Sequence, residues 1–116
     1  MCHVLIIEDE LLIALAIQLT LEDAGVASFD IADSEDSAVA AARAHRPDFI
    51  TSDVSLRSGT GPHAVRTIQE EMGDMPVIFL TGTPRDCQPC NPPGSVLAKP
   101  FDADALTAAY HRALAA

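Results

Sequence analysis

A chain of 116 residues with 48% hydrophobic composition is sized for one domain around a single core. Seventeen acidic against seven basic residues give a formal net charge of -10, which argues against a phosphate-backbone partner such as nucleic acid. No apolar run approaches the roughly 18 residues of a membrane span, and Met1-Cys2-His3 opens no targeting segment. Three cysteines at spacings that suggest no disulfide framework fit a reducing compartment, so the expectation is a soluble cytoplasmic protein.

In chain order, Val4 to Ile7 is continuously apolar, as expected for a strand covered on both faces, and runs into Glu8-Asp9-Glu10. The first 42 residues hold nine acids and no Lys or Arg, so cations are drawn to that strand's end. Leu11 to Ala24 reads as a helix closed by Gly25. Its Leu11, Leu12, Ile13, Leu15, Ile17, Leu19 and Leu21 spread around most of the circumference, which fits either a deeply buried helix or an apolar docking face. Residues 27 to 32 form a weaker strand that Asp30 marks as near an edge.

Asp33 or Ser34 then caps a helix from about Glu35 to His45, stopped before Pro47. A third strand, Asp48 to Ser52, delivers Asp53 to its end. Past a loop with Gly59 and Gly61, Pro62 suits the first turn of a helix whose Val65, Ile68 and Met72 face inward and which Gly73 ends. Met75 to Leu80 is a fourth strand leading to Thr81-Gly82. Thr83 to Ser95 contains Pro84, Pro89, Pro92 and Pro93 and reads as an irregular loop where the alternation calls for a helix. Ser95 to Ala98 is a fifth strand running into Lys99-Pro100-Phe101. The last helix is capped by Asp102, with Leu106, Ala109, Tyr110, Ala113 and Leu114 inward.

Strands alternating with helices imply a parallel α/β sheet with right-handed crossovers, and ligands of such sheets sit beyond the carboxyl ends of the strands. Glu8, Asp9, Asp53, Thr81 and Lys99 all fall there. Three carboxylates, a hydroxyl and an ammonium suit a divalent cation together with a phosphoryl group.

These residues, with Leu56 and Gly61 in the loop after Asp53, resemble the receiver domain of two-component response regulators over nearly the whole chain. The resemblance implies a flavodoxin-like three-layer αβα fold with five parallel strands in the order 2-1-3-4-5, in which the prolines of the fourth crossover leave a fourth helix that is short or disordered. It implies one receiver domain over residues 1–116 without an output domain. Asp53 would be the phosphoacceptor, assisting its own phosphorylation and dephosphorylation rather than acting as an enzyme. Mg2+ (or Mn2+) would be held directly by Asp9 and Asp53, by Glu8 through water, and by the main-chain carbonyl of Ser55. Thr81 and Lys99 would contact phosphoryl oxygens, Gly82 would leave them room, and Pro100 would follow a cis bond. The donor would be a histidine kinase or a histidine phosphotransfer protein. Output would pass to a downstream protein, or the domain would drain phosphate from the kinase.

Val96 stands where the family's read-out aromatic is usual, and Pro76 to Gly82 looks like a variant of the single-domain subgroup carrying a Phe-Ala-Thr-Gly-Tyr motif. Because the fourth crossover is rich in proline, phosphorylation is expected to order or shift residues 83 to 94 rather than a preformed helix.

Other classes compete. Cys87-Gln88-Pro89-Cys90 could serve a redox or metal role, although two cysteines alone do not complete a zinc site. A phosphohydrolase with an aspartyl nucleophile would need a second acid where Ser55 stands. A degenerate receiver that folds without accepting phosphate would not require Asp53, Thr81 and Lys99 together. His3, His45, His63 and His111 show no metal spacing and read as ordinary surface or core residues.

Overall fold

The computed structural model describes residues 2–81, 94–99 and 101–115. The proline-rich crossover at 83–93, Gly82, Pro100, Cys87 and Cys90 lie outside them. Five strands, β1 (His3–Ile7), β2 (Ser28–Ala32), β3 (Phe49–Asp53), β4 (Val77–Thr81) and β5 (Gly94–Ala98), form one sheet in the order β2-β1-β3-β4-β5. Every pairing is parallel. The parallel sheet is the one expected from the alternation of elements, and its order is the flavodoxin-like one that the resemblance implied, with β2 at an edge as Asp30 suggested.

Among the described residues, four helices, α1 (Leu11–Asp23), α2 (Glu35–Ala44), α3 (Gly61–Met72) and α4 (Ala103–Ala115), cover both faces. Side chains alternate across each strand, so one sheet fills two cores. Leu5, Ile7, Ile50, Val77 and Phe79 pack with α2 and α3 through Ala38, Val39, Val65 and Ile68. Val4, Ile6, Phe49, Ile78 and Leu80 pack with α1 and α4 through Ala14, Ile17, Leu21 and Leu106.

The caps follow local chemistry. Ser34, one of the two candidates, accepts the Ser37 N–H at 3.1 Å, and Ser37 Oγ accepts the Ser34 N–H in return. Thr60 caps α3 just ahead of Pro62. Asp102 caps α4 through the Ala105 N–H. Gly25 and Gly73 take the positive φ angles, 102° and 87°, that end α1 and α3.

Two expectations change. A deeply buried α1 is overturned: only Ala14, Ile17 and Leu21 are buried, whereas Leu12 and Leu19 are 83% and 64% exposed. A helix lying on one face of a sheet has one stripe to bury, and the remaining leucines of α1 face out. Leu114, expected inward, is exposed in the final turn of α4. Among the described residues, no helix is long and apolar enough to cross a membrane.

Thr51, fully buried in β3, carries a hydroxyl with no hydrogen-bond partner among the described residues. Thr51→Val removes that polar atom at nearly constant volume, and chemical denaturation is expected to read a gain of about 1 kcal/mol. Tyr110 packs edge-on against Phe49, ring centroids 5.0 Å apart, and burial, aided by a hydrogen bond with Cys2, pushes its phenol up to about 12. It is the only tyrosine, and the chain has no tryptophan, so ultraviolet absorbance titration reads it alone. Ionisation is expected near pH 12. Because the folded state holds the proton longer than the unfolded one, stability should fall as pH rises from 10.0 toward 12. A midpoint at the ordinary value would place the ring in water.

Candidate functional site at the carboxyl edge of the sheet

Parallel strands deliver their carboxyl ends to one rim, and each expected residue lies there. Glu8 follows β1, its N–H still paired with the Ala32 carbonyl at 2.9 Å, and only 2% of it reaches solvent. Asp53 is the last residue of β3, and Thr81, buried, is the last of β4. Lys99 follows β5 and donates its N–H to the Thr81 carbonyl at 2.8 Å, which fixes where its side chain starts.

Sequence separation disappears at this rim. Lys99 Nζ lies 3.0 Å from Glu8 Oε1 and 3.2 Å from Asp53 Oδ2, bridging two carboxylates 45 residues apart in the chain. Ligand oxygens of Glu8, Asp9 and Asp53 all lie within 4.8 Å of one another. Main-chain donors hold the remaining oxygens: the Glu10 N–H reaches Glu8 Oε2 at 3.2 Å, Val54 N–H reaches Asp53 Oδ1 at 2.8 Å, and Arg57 N–H reaches Asp9 Oδ2 at 2.9 Å. Residue type alone did not point to these donors, because an amide group is common to every position.

Ser55 lies two residues past Asp53 in a turn bridged to Thr60. Gly61 has a steric task there. A Cβ on it would fall on the Asp53 carbonyl oxygen and Ser52 Oγ, so only glycine lets α3 start this close to the end of β3.

The charges are unbalanced. Burial raises the Glu8 carboxyl above its ordinary range, and the neighbouring Asp53 charge adds to that; the Lys99 and Glu10 hydrogen bonds pull the other way without cancelling it. For Lys99, burial works to lower the ammonium, but the Glu8 hydrogen bond and the charges of Asp53 and Glu8 outweigh it and hold the group up. Three carboxylates facing one ammonium form an all-oxygen, net negative donor set, which fits a hard divalent cation such as Mg2+.

A groove of about 620 Å3 runs from this rim along α1, lined by Leu12, Ile13, Ala16, Thr20, Lys99 and Phe101. Of the exposed leucines of α1, Leu12 lines this groove.

The sequence matches the family described as response regulator receiver domain over residues 4–111. It is 35% identical, over 97% of its length, to the phyllosphere-induced regulator PhyR of Methylorubrum extorquens, and it spans only 43% of that relative. The receiver (REC) domain of PhyR from Erythrobacter litoralis superposes with a TM-score of 0.87 at 28% identity, covering 97% of this chain and 89% of that one. A structure described as anti-anti-sigma factor PhyR from Bartonella quintana gives 0.81 at 32% identity, covering 97% and 47%.

Removing the bridging ammonium tests the charge balance. Lys99→Met leaves Glu8 buried beside Asp53 with its main lowering influences gone, so its pKa rises further. The variant is expected to lose about 3 kcal/mol at neutral pH. A carboxyl whose folded pKa is raised stabilises most below 4.5 and loses that contribution as pH rises, so the deficit should shrink in acid. Thermal melts of both proteins from pH 4 to 8 read it.

Proposed function

The chain belongs to the response regulator receiver domain family, and on that premise we propose that it accepts a phosphoryl group on Asp53 from the phosphohistidine of a histidine kinase or phosphotransfer protein. The carrying observation is the Lys99 ammonium 3.2 Å from Asp53 Oδ2, inside a cluster of three carboxylates. An Asp53 oxygen forms a bond to phosphorus as the phosphorus–nitrogen bond to the donor imidazole breaks, and the imidazole keeps that bond's electron pair.

The side chains of Glu8, Asp9 and Asp53, with the main-chain carbonyl of Ser55, would hold Mg2+. When bound, the ion neutralises charge on the phosphoryl oxygens and on the attacking carboxylate. The chain's own groups do the rest. Val54 N–H orients the Asp53 carboxylate, Lys99 is free to follow the transferred oxygens away from Glu8, and the Thr81 hydroxyl, at the end of the neighbouring strand, supplies a donor to them. The product is an acyl phosphate, so the domain is a phosphoacceptor rather than an enzyme with a separate substrate.

Signalling in this reading is by protein contact in the cytoplasm. The exposed Leu12 of α1, with the groove that reaches Lys99, offers the donor an apolar docking surface beside the site. Similarity to a protein described as an anti-anti-sigma factor favours another regulatory protein as the recipient of the signal.

Incubation with acetyl phosphate and Mg2+, read by intact mass, is expected to add one phosphoryl group to the wild type and none to Asp53→Asn. Labelling of both proteins alike, or of neither, would remove the proposal.

A further inference from the structure

At the opposite rim, the amino ends of β1 and β2 bring together three side chains that have no part in the chemistry above. His3, buried at the start of β1, places Nδ1 2.6 Å from Ser28 Oγ and Nε2 2.9 Å from Asp30 Oδ2. Ser28 and Asp30 are two residues apart on edge strand β2 and so share a face. His45, exposed at the carboxyl end of α2, stacks on His3 with ring centroids 3.6 Å apart. One ligand atom from each of His3, Asp30 and His45 lies within 4.8 Å of the others.

We propose that His3, Asp30 and His45 form a second metal site, for Zn2+ or a similar transition-metal ion, at the amino rim of the sheet. Two imidazole nitrogens and one carboxylate oxygen are the donor set of such ions, with water completing the coordination. It is the wrong set for Mg2+, which takes oxygen. The spacing is close to what an ion needs. Ligand atoms bound at about 2.0–2.1 Å around a tetrahedral centre stand about 3.3 Å apart, so the pair now hydrogen-bonded at 2.9 Å opens by only about 0.4 Å.

Ser28 supplies the supporting contact common to metal-ligating histidines. Without metal, Nε2 carries the proton that the Asp30 carboxylate accepts; an ion would displace that proton, and the Ser28 hydroxyl, 2.6 Å from Nδ1, is placed to accept Nδ1–H in the metal-bound tautomer. In the stack the two rings lie nearly parallel, 13° apart, whereas an ion needs their nitrogens to converge. His3 is locked by burial and Ser28, and His45, in solvent, is the ring that turns. Its exposure also gives the ion a way in. Asp48 accepts the His3 main-chain N–H at 2.9 Å and adds negative charge beside the cluster.

The test is calorimetric titration of Zn2+ into Cys2→Ser/Cys87→Ser/Cys90→Ser protein in saturating Mg2+, which withdraws all three thiols and the acidic site from competition. One ion per chain is expected to bind. His45→Ala and Asp30→Asn should each weaken it about tenfold or more, and Ser28→Ala by a smaller factor. Asn at position 30 can still hydrogen-bond His3, and His45 is exposed, so melting temperatures measured without metal should stay unchanged. Co2+ should give the visible bands of four-coordinate nitrogen–oxygen ligation in the parent and lose them in His45→Ala. Equal Zn2+ affinity in the parent and His45→Ala, or no Zn2+ uptake by the parent, would overturn the assignment.

Discussion

The ammonium of Lys99 between the carboxylates of Glu8 and Asp53 is the contact on which the site's geometry depends. Two acids brought this close, one of them nearly excluded from water, repel each other and resist ionisation, and a cation between them offsets both penalties. Asp9 adds a third carboxylate, and even with the exposed Arg57 guanidinium 4.0 Å from it the rim stays negative. That residual charge makes it receptive to a hard cation. In the proposed reaction the same ammonium meets the new phosphoryl oxygens at Asp53.

Holding like charges together takes a rigid support, and the sheet supplies it. β1, β3 and β4 are buried on both faces, so a displacement at their carboxyl ends would disturb two packed cores. Register sets the detail: Thr81 pairs with Ala98, and the next residue of β5's chain, Lys99, returns a hydrogen bond to the Thr81 carbonyl. Gly61 lets α3 crowd the end of β3, and Glu35 ties the loop from the other side, its carboxylate accepting Thr60 N–H and pairing with His63. The geometry of this rim is a product of packing rather than of the charged groups alone.

The two rims of one sheet carry different donor chemistry. Carboxylates dominate where the strands end, and imidazoles with a single carboxylate gather where β1 and β2 begin. α1 is the other departure from a uniformly satisfied surface: its outward leucines are apolar area left uncovered beside the acidic rim. A helix with leucine on several sides stays amphipathic only in the sense that the sheet selects which stripe to bury.

Much of this was readable in the linear chain. Each of Glu8, Asp9, Asp53, Thr81 and Lys99 follows an apolar run, and parallel runs of similar length necessarily bring their ends to one edge. The caps at Ser34 and Asp102 are local chemistry, and so are the glycine stops at residues 25 and 73. Tertiary structure decided what depends on distance between remote segments. The Glu8–Lys99 pair spans 91 residues, and the His3–His45 stack joins a strand start to a helix end. Burial of Ile17 but not Leu19 followed from which side of α1 met the sheet. Periodicity reports the preferences of a segment by itself. Contacts and solvent exclusion belong to pairs of segments, and they exist only once the chain has packed.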